Sequence, residues 1–223
     1  SLRALRVFSQ PCACVAFHPA NDNLLLLAGP GGAVQFNAST GAALSQPVLK
    51  LSGRETATSC CWPSPDLLFV GSSEGRLFVI SPSSRTVTVV RAGAPINSLS
   101  FHSWMLRRQS VRELLVSVPS ATGKGASLLV YRLGVEMKVI ASFRVPNKAL
   151  RVRSRFCPLA PASRDGSCVV SGGENAELLV FDVCRFGKSR PLINALHGHT
   201  APVLDVAWAF DETLLASSDL SGL

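Results

Sequence analysis

The sequence LHGHTAPVLDVAWAFDETLLASSDLSG, residues 196–222, predicts a local structure more completely than any other stretch of the chain. It begins with a Gly198-His199 pair, which is typical of a turn, and continues with an apolar strand over residues 203–208. A polar turn separates this strand from a second one over residues 214–217. The stretch therefore predicts two antiparallel β-strands that follow a Gly-His turn.

Weaker versions of this pattern recur upstream. An aromatic residue closes an apolar strand five times, at intervals of about 40 to 55 residues, which is the range of a structural repeat. These residues are Phe17, Trp62, Phe101, Phe156 and Trp208. Turn-forming residues separate further short apolar runs after each of them, so each repeat is predicted to contain four short antiparallel strands.

The Gly-His turn and the strands after it resemble the WD-repeat family, whose repeat of roughly 40 to 45 residues ends at a Trp-Asp pair. Phe181-Asp182 stands where that pair would stand in the fourth repeat. The resemblance implies an all-β WD-repeat β-propeller, with about four and a half four-stranded blades of a seven-bladed ring, and hence a fragment. The whole chain, residues 1–223, would be this partial propeller. Its expected blades are residues 12–51, 56–92, 94–145 and 149–195, with a partial blade at 196–223.

The resemblance also implies structural roles for a few polar residues. In the family, the His of the Gly-His turn, a Ser or Thr, an Asp and a Trp form a buried hydrogen-bonded tetrad. His199 and Ser217 match two of these positions, and Gly198 matches the turn. Ser221 occupies the position just before Gly222, where the family usually has the Asp. We therefore expect His199 to lack its acidic partner.

Composition favours an intracellular β-protein with a basic surface. Apolar residues make up 47% of the chain, which is enough for a sizeable core. No window approaches the roughly 18 apolar residues that span a bilayer, and the beginning lacks a secretory apolar core. Lys and Arg number 22 against 14 Asp and Glu, giving a net charge of +8. That charge favours acidic partners or nucleic acid, although it also serves simply to keep an apolar protein soluble.

The sequence contains no pattern of a catalytic, metal or cofactor site. None of the four histidines has a His, Cys or acidic residue at metal-ligand spacing. The seven cysteines include no Cys-x-x-Cys pair, so neither a zinc site nor a disulfide framework is indicated. Cys12 and Cys60 occupy apolar repeat positions and are expected to be core thiols. We therefore predict a protein that is not an enzyme and that has no cofactor and no metal.

Residues 103–112 are predicted to be a basic insertion between the first two strands of the third repeat. Trp104, Arg107, Arg108 and Arg112 lie in it and are candidates for contacts with a partner, because aromatic and basic residues together are typical of binding surfaces. The alternative for Trp104 is that it folds back on its own blade.

A second group of candidates is expected on the opposite rim of the propeller. It contains Lys124, Lys148 and Arg151. Arg151 also begins an alternating series with Arg153 and Arg155, which places all three side chains on one face of a strand. Either they form a cationic stripe near the channel, or the strand is displaced and they reach solvent.

The resemblance implies a nuclear, non-enzymatic scaffold that presents its rim loops to other proteins. The basic composition keeps one alternative open, a nucleic-acid-binding or chromatin-binding propeller. Any nucleic-acid binding is expected to be weak and non-specific, and no contact with a membrane is expected.

Overall fold

The structure, a computed structural model, describes residues 11–44, 46–106, 109–120, 127–158, 168–187, 190–209 and 211–222, without the side chains of residues 103–110. The chain divides into two compact units, Ser1–Ile96 and Asn97–Leu223. Within the described ranges, no helix is long and apolar enough to cross a membrane.

The first unit contains two four-stranded antiparallel sheets, and in each sheet the strands are hydrogen-bonded in chain order. The first sheet consists of β1 (Cys14–His18), β2 (Asn21–Gly29), β3 (Gly32–Asn37) and β4 (Leu49–Lys50). The second sheet consists of β5 (Ala57–Ser64), β6 (Leu67–Ser72), β7 (Arg76–Ser81) and β8 (Thr86–Arg91). A sheet of four consecutive antiparallel strands is the blade unit of a propeller.

The two sheets of this unit share an apolar core. Alternate residues of a strand point to the same face, so Leu68 and Val70 of β6 reach the core together with Leu26 of β2. Cys14 and Ala16 of β1 pack against this core, whereas Val15 and Phe17 point to the opposite face and are 54% and 60% exposed. The aromatic residue of the first repeat is therefore not a core residue, unlike Trp62 of the second, which is buried.

The second unit contains two further four-stranded sheets and one hairpin, again in chain order and antiparallel. One sheet consists of β9 (Ser98–Leu106), β10 (Gln109–Ser117), β11 (Leu128–Arg132) and β12 (Lys138–Phe143). The other consists of β13 (Ser154–Phe156), β14 (Cys168–Gly172), β15 (Leu178–Asp182) and β16 (Leu192–Leu196), with a 3₁₀ turn at Val183–Arg185. The hairpin consists of β17 (Val203–Trp208) and β18 (Leu215–Asp219).

The prediction that residues 103–112 are an insertion separating the first two strands of the third repeat is wrong. β9 and β10 pair without a bulge from Ser98 opposite Ser117 to Leu106 opposite Gln109. Ser103 lies opposite Arg112 in this ladder. Because the register continues unbroken, the additional residues lengthen a hairpin instead of separating its strands.

The core of the second unit joins the two four-stranded sheets. Phe143 of β12 stacks on Phe181 of β15, with ring centroids 4.8 Å apart. Backbone N–H groups of the short β13 donate to side-chain hydroxyls of β9, from Ser154 to Ser98 and from Phe156 to Ser100, both at 3.1 Å. The sheets are therefore joined by hydrogen bonds as well as by apolar packing.

Candidate functional site

His199 is the centre of a hydrogen-bonded network between the β16–β17 connection and β18. Its Nδ1 atom lies 2.9 Å from Asp219 Oδ2, and its Nε2 atom lies 2.8 Å from Ser217 Oγ. Ser217 and Asp219 are two residues apart in a strand, so both side chains point to the face that His199 covers. The side chain of Asp219 is fully buried, and that of His199 is 17% exposed. The network therefore fixes the Gly198-His199 turn to β18.

The expectation that His199 lacks an acidic partner is wrong. The carboxylate comes from Asp219, two positions before Ser221, where the family pattern led us to look for it. Asp219 Oδ1 accepts hydrogen bonds from the Ser221 backbone N–H at 2.9 Å and from the Ser221 hydroxyl at 2.6 Å. Asp219 is the last residue of β18 and lies opposite Val203 of β17. The period-two spacing of Ser217 and Asp219 was the signal in the sequence that could have identified it.

Replacement of His199 by Ala should destabilise the protein by about 1 to 3 kcal/mol, the usual cost of leaving buried hydrogen-bonding groups unpaired. Urea unfolding of the two chains measures this difference. His197→Ala is the matched control, because the side chain of His197 is 70% exposed. Its Nδ1 atom lies 3.4 Å from Glu177 Oε1, and a surface pair of this kind contributes little to stability. Equal unfolding midpoints for His199→Ala and His197→Ala would contradict a structural role for the network.

Glu174 organises a second site, on the connection between β12 and β13. Its Oε1 atom accepts hydrogen bonds from three consecutive backbone N–H groups, those of Lys148 at 2.8 Å, Ala149 at 2.7 Å and Leu150 at 2.7 Å. The backbone N–H of Glu174 in turn donates to the carbonyl of Pro146 at 2.7 Å. We refer to residues 146–151 as the Lys148 loop. Its backbone is held by a single carboxylate from the β14–β15 turn.

The electrostatics of Glu174 favour its charged form. Partial burial alone would raise the pKa of its carboxyl group, but the three backbone hydrogen bonds, with a contribution from the charge of Lys148, lower it overall. Glu174 is therefore a carboxylate at neutral pH, and its hydrogen bonds to the Lys148 loop are charge-assisted.

Two of the predicted basic residues lie on this loop. Lys148 and Arg151 are both exposed, whereas Asn147 between Pro146 and Lys148 is buried. The buried Asn147 and the bonds to Glu174 hold the backbone of the loop while the long basic side chains project from it. The structure thus presents Lys148 and Arg151 on one ordered segment.

Exposure alternates along residues 151–155, which include the three alternating arginines. Val152 and Ser154 point into the core, while Arg151 and Arg155 are exposed. Arg153 pairs with Asp205 of β17, with Arg153 Nη1 2.6 Å from Asp205 Oδ2. β13 begins only at Ser154, so Arg151 precedes the strand. The outer two arginines reach solvent, and the middle one joins the sheet to the β17–β18 hairpin.

The candidates of residues 103–112 are only partly described. Arg112 is exposed on β10. The backbone of Trp104 lies in β9, opposite Val111, and its side chain is outside the described part of the structure. Arg107 and Arg108 lie outside the described residues. Lys124, a candidate on the opposite rim, also lies outside them.

Phe181 and Asp182, predicted at the position of the family's Trp-Asp pair, end β15. Phe181 is buried in the stack with Phe143. The Asp182 side chain accepts a hydrogen bond from the Cys184 N–H at 2.9 Å and pairs with Arg185 Nε at 3.2 Å. Asp182 thus begins the 3₁₀ turn, a structural element that the sequence pattern did not predict.

The sequence also gave no indication of two ion pairs with buried carboxylates. In the first unit, Glu55 is 2% exposed and accepts a hydrogen bond from Arg76 Nε at 2.7 Å. In the second unit, Glu113 is 1% exposed and lies 2.8 Å from Arg132 Nη2. Burial on this scale requires a partner, because an unpaired carboxylate in the interior is costly.

The described residues include no group of three or more His, Cys, Asp or Glu side chains that could hold a metal ion.

His102 is opposite Glu113 in the β9–β10 ladder and is buried. Burial lowers the pKa of His102, although the charges of Glu113 and Glu212 act in the opposite direction. His102 is therefore neutral at pH 7 and packs against Phe156, with ring centroids 5.5 Å apart.

Comparison with known families identifies the class of repeat. Residues 190–222 match the family described as WD domain, G-beta repeat. The match covers the Gly198-His199 turn, β17 and β18, and therefore the whole His199 network. The chain carries a WD40 repeat in this region, and its four-stranded sheets have the architecture of propeller blades.

Solved structures show the same fold over nearly the whole chain. One similar chain comes from the structure described as the crystal structure of the mitotic checkpoint complex. It is 17% identical with a TM-score of 0.63, over 98% of this chain and 68% of that one. Matches are found to 853 chains of solved structures. The likeness shows an all-β, propeller-like fold, and function has to be inferred from the site residues.

Proposed function

We propose that this protein is a non-catalytic scaffold whose Lys148 loop binds a protein partner with an acidic surface. Propellers of the WD40 type are in general non-catalytic, and their connecting loops are available for recognition because the sheets hold them rigidly. The Lys148 loop has this character, since Lys148 and Arg151 are exposed on a backbone that Glu174 fixes. This anchored loop is the observation that carries the proposal.

The fixed backbone favours a protein partner over a purely electrostatic one. An ordered loop loses little conformational entropy when it binds, so its contacts contribute more to the affinity. A partner that recognised only charge would gain little affinity from the ordered backbone of the loop, because long-range attraction depends mainly on net charge.

We propose a nuclear location because of a resemblance in sequence. The order of several stretches, among them FHPANDNLLLLAG at residues 17–29 and CVVSGGE at residues 168–174, resembles WD repeat-containing protein 13. A nuclear scaffold is what that resemblance implies.

The second candidate function, binding of nucleic acid or chromatin, rests on the net charge of +8.

Three variants distinguish the two functions. Partners are captured from nuclear extract by the full chain, with and without nuclease, and the affinity of the captured protein is then measured. For a protein partner, Lys148→Glu should weaken binding about tenfold or more, as for a hot-spot residue. Glu174→Ala should also weaken it, because the loop loses its anchor. Lys138→Glu is the control, since Lys138 is exposed at the start of β12 and carries the same charge change.

Nucleic acid would give the opposite pattern. Lys148→Glu and Lys138→Glu would weaken binding to a similar extent, and Glu174→Ala would strengthen it by removing a negative charge. Affinity for a random duplex would fall linearly with salt in a log-log plot, and we expect a dissociation constant of about 10 µM or weaker near physiological salt. Tight, sequence-selective binding to nucleic acid would overturn the scaffold proposal.

A further inference from the structure

Two cysteines of the second unit face each other across neighbouring strands. β13 and β14 pair with Phe156 opposite Val169, and the next pair in the same register is Cys157 opposite Cys168. The Cys157 N–H donates to the Cys168 carbonyl at 2.9 Å, so the ladder continues through this pair. Directly opposite residues of a hydrogen-bonded antiparallel pair have Cα atoms about 5.5 Å apart and side chains on one face. That separation falls within the range of roughly 4.4 to 6.8 Å found in disulfides.

The two thiols are already in contact and differ in exposure. They share a hydrogen bond, which together with burial raises the pKa of Cys157 well above its ordinary value. Cys157 is 9% exposed, whereas Cys168 is partly exposed. Cys168 is therefore the thiol that a reagent in solution reaches first, and Cys157 is placed to react second.

We propose that Cys157 and Cys168 are a modification site, at which a small-molecule disulfide oxidises the pair to a reversible disulfide. The thiolate of Cys168 attacks one sulfur of the reagent, forms a mixed disulfide and releases the other half as a thiolate. Cys157 then loses its proton to that thiolate and attacks Cys168 Sγ, which expels the second half. The protein loses two electrons and two protons, and the reagent is reduced to two thiols.

The bond would close a ring around the β13–β14 connection, residues 158–167, and join the two strand ends covalently. A ring of this length restricts the unfolded chain substantially, so the oxidised protein should be the more stable form. Cys14 and Cys60 of the first unit also have neighbouring thiols, but they lie on different sheets, β1 and β5, and are not opposite one another in a ladder. The cross-strand geometry distinguishes the Cys157–Cys168 pair.

The test treats the full chain with oxidised glutathione, alkylates the remaining thiols and maps the products by mass spectrometry. We expect a Cys157–Cys168 disulfide, removed by dithiothreitol, and a melting temperature about 5 °C higher in the oxidised chain. In Cys157→Ser, a mixed disulfide with glutathione should accumulate on Cys168, because the second thiol is absent. Cys168→Ser should give neither product at this site.

Cys184→Ser is the control, because Cys184 is an exposed cysteine of the same unit and its loss should leave the Cys157–Cys168 bond intact. Cys157→Ala replaces Cys157→Ser if the serine variant does not fold, and it should trap the same adduct. Reaction confined to Cys12 or Cys184, or a Cys14–Cys60 bond with Cys157 and Cys168 still reduced, would overturn the proposal.

Discussion

Replacement of Arg76 by Ala should lower the stability of the first unit by about 3 kcal/mol. The guanidinium group is the partner of Glu55, whose side chain is fully buried and which receives the hydrogen bond from Arg76 Nε at 2.7 Å. Removing one member of a buried ion pair leaves the other charge in the interior, which costs about 3 to 5 kcal/mol. The side chain of Arg76 is 34% exposed, so solvent screens the pair and the lower end of that range applies.

The measurement is urea unfolding, with Arg91→Ala as the matched control. Arg91 lies opposite Arg76 in the β7–β8 ladder and is exposed, so its loss makes the same change in charge without uncovering a buried acid. The double variant Glu55→Gln/Arg76→Ala should be more stable than Arg76→Ala, because a neutral amide is cheaper to bury than a carboxylate. Equal midpoints for Arg76→Ala and Arg91→Ala would show that the buried charge has no energetic role.

Much of the fold was predictable because it depends on local patterns. Short apolar runs such as those of β2 and β6 mark the strands, and turn-forming residues separate them, so short-range sequence predicts the four-stranded sheets. The 103–112 region was missed because charged residues between two strands look like a loop, whereas the hydrogen-bond ladder tolerates them at exposed positions such as Arg112. Strand length there is decided by pairing with the neighbouring strand, which composition does not record.

The polar sites were harder to predict because their partners are distant in sequence. Glu174 is separated from the Lys148 loop by the two strands β13 and β14 and the connection between them. Glu55 is separated from Arg76 by the two strands β5 and β6. His199 was assigned from a family position, but its acidic partner had shifted by two residues to Asp219. The expectation that Cys12 is a core thiol is wrong, because Cys12 precedes β1 and is exposed. Cys60 is buried in the core, as expected.

Gly172→Ala should destabilise the second unit by about 3 kcal/mol, the upper part of the usual range for overpacking a core. A Cβ atom at Gly172 would lie 2.2 Å from the backbone carbonyl oxygen of Val203. The obstacle is backbone, which cannot rotate away as a flexible side chain can, so β17 would have to move from β14. That movement would also stretch the hydrogen bond from the Val203 N–H to the Gly173 carbonyl, now 3.0 Å.

Gly134→Ala provides the comparison, because the nearest atom to its added Cβ is the Glu136 carbonyl oxygen at an ordinary 3.5 Å. We expect that variant to unfold within about 0.5 kcal/mol of the original chain. Amide exchange should locate the damage in Gly172→Ala, with protection lost in β17 and β18 before it is lost in β11 and β12. Since the His199 network depends on β18, loss of order there would also free the Gly198-His199 turn. A Gly172→Ala chain as stable as Gly134→Ala would mean that β14 and β17 are not in the close contact that the structure shows.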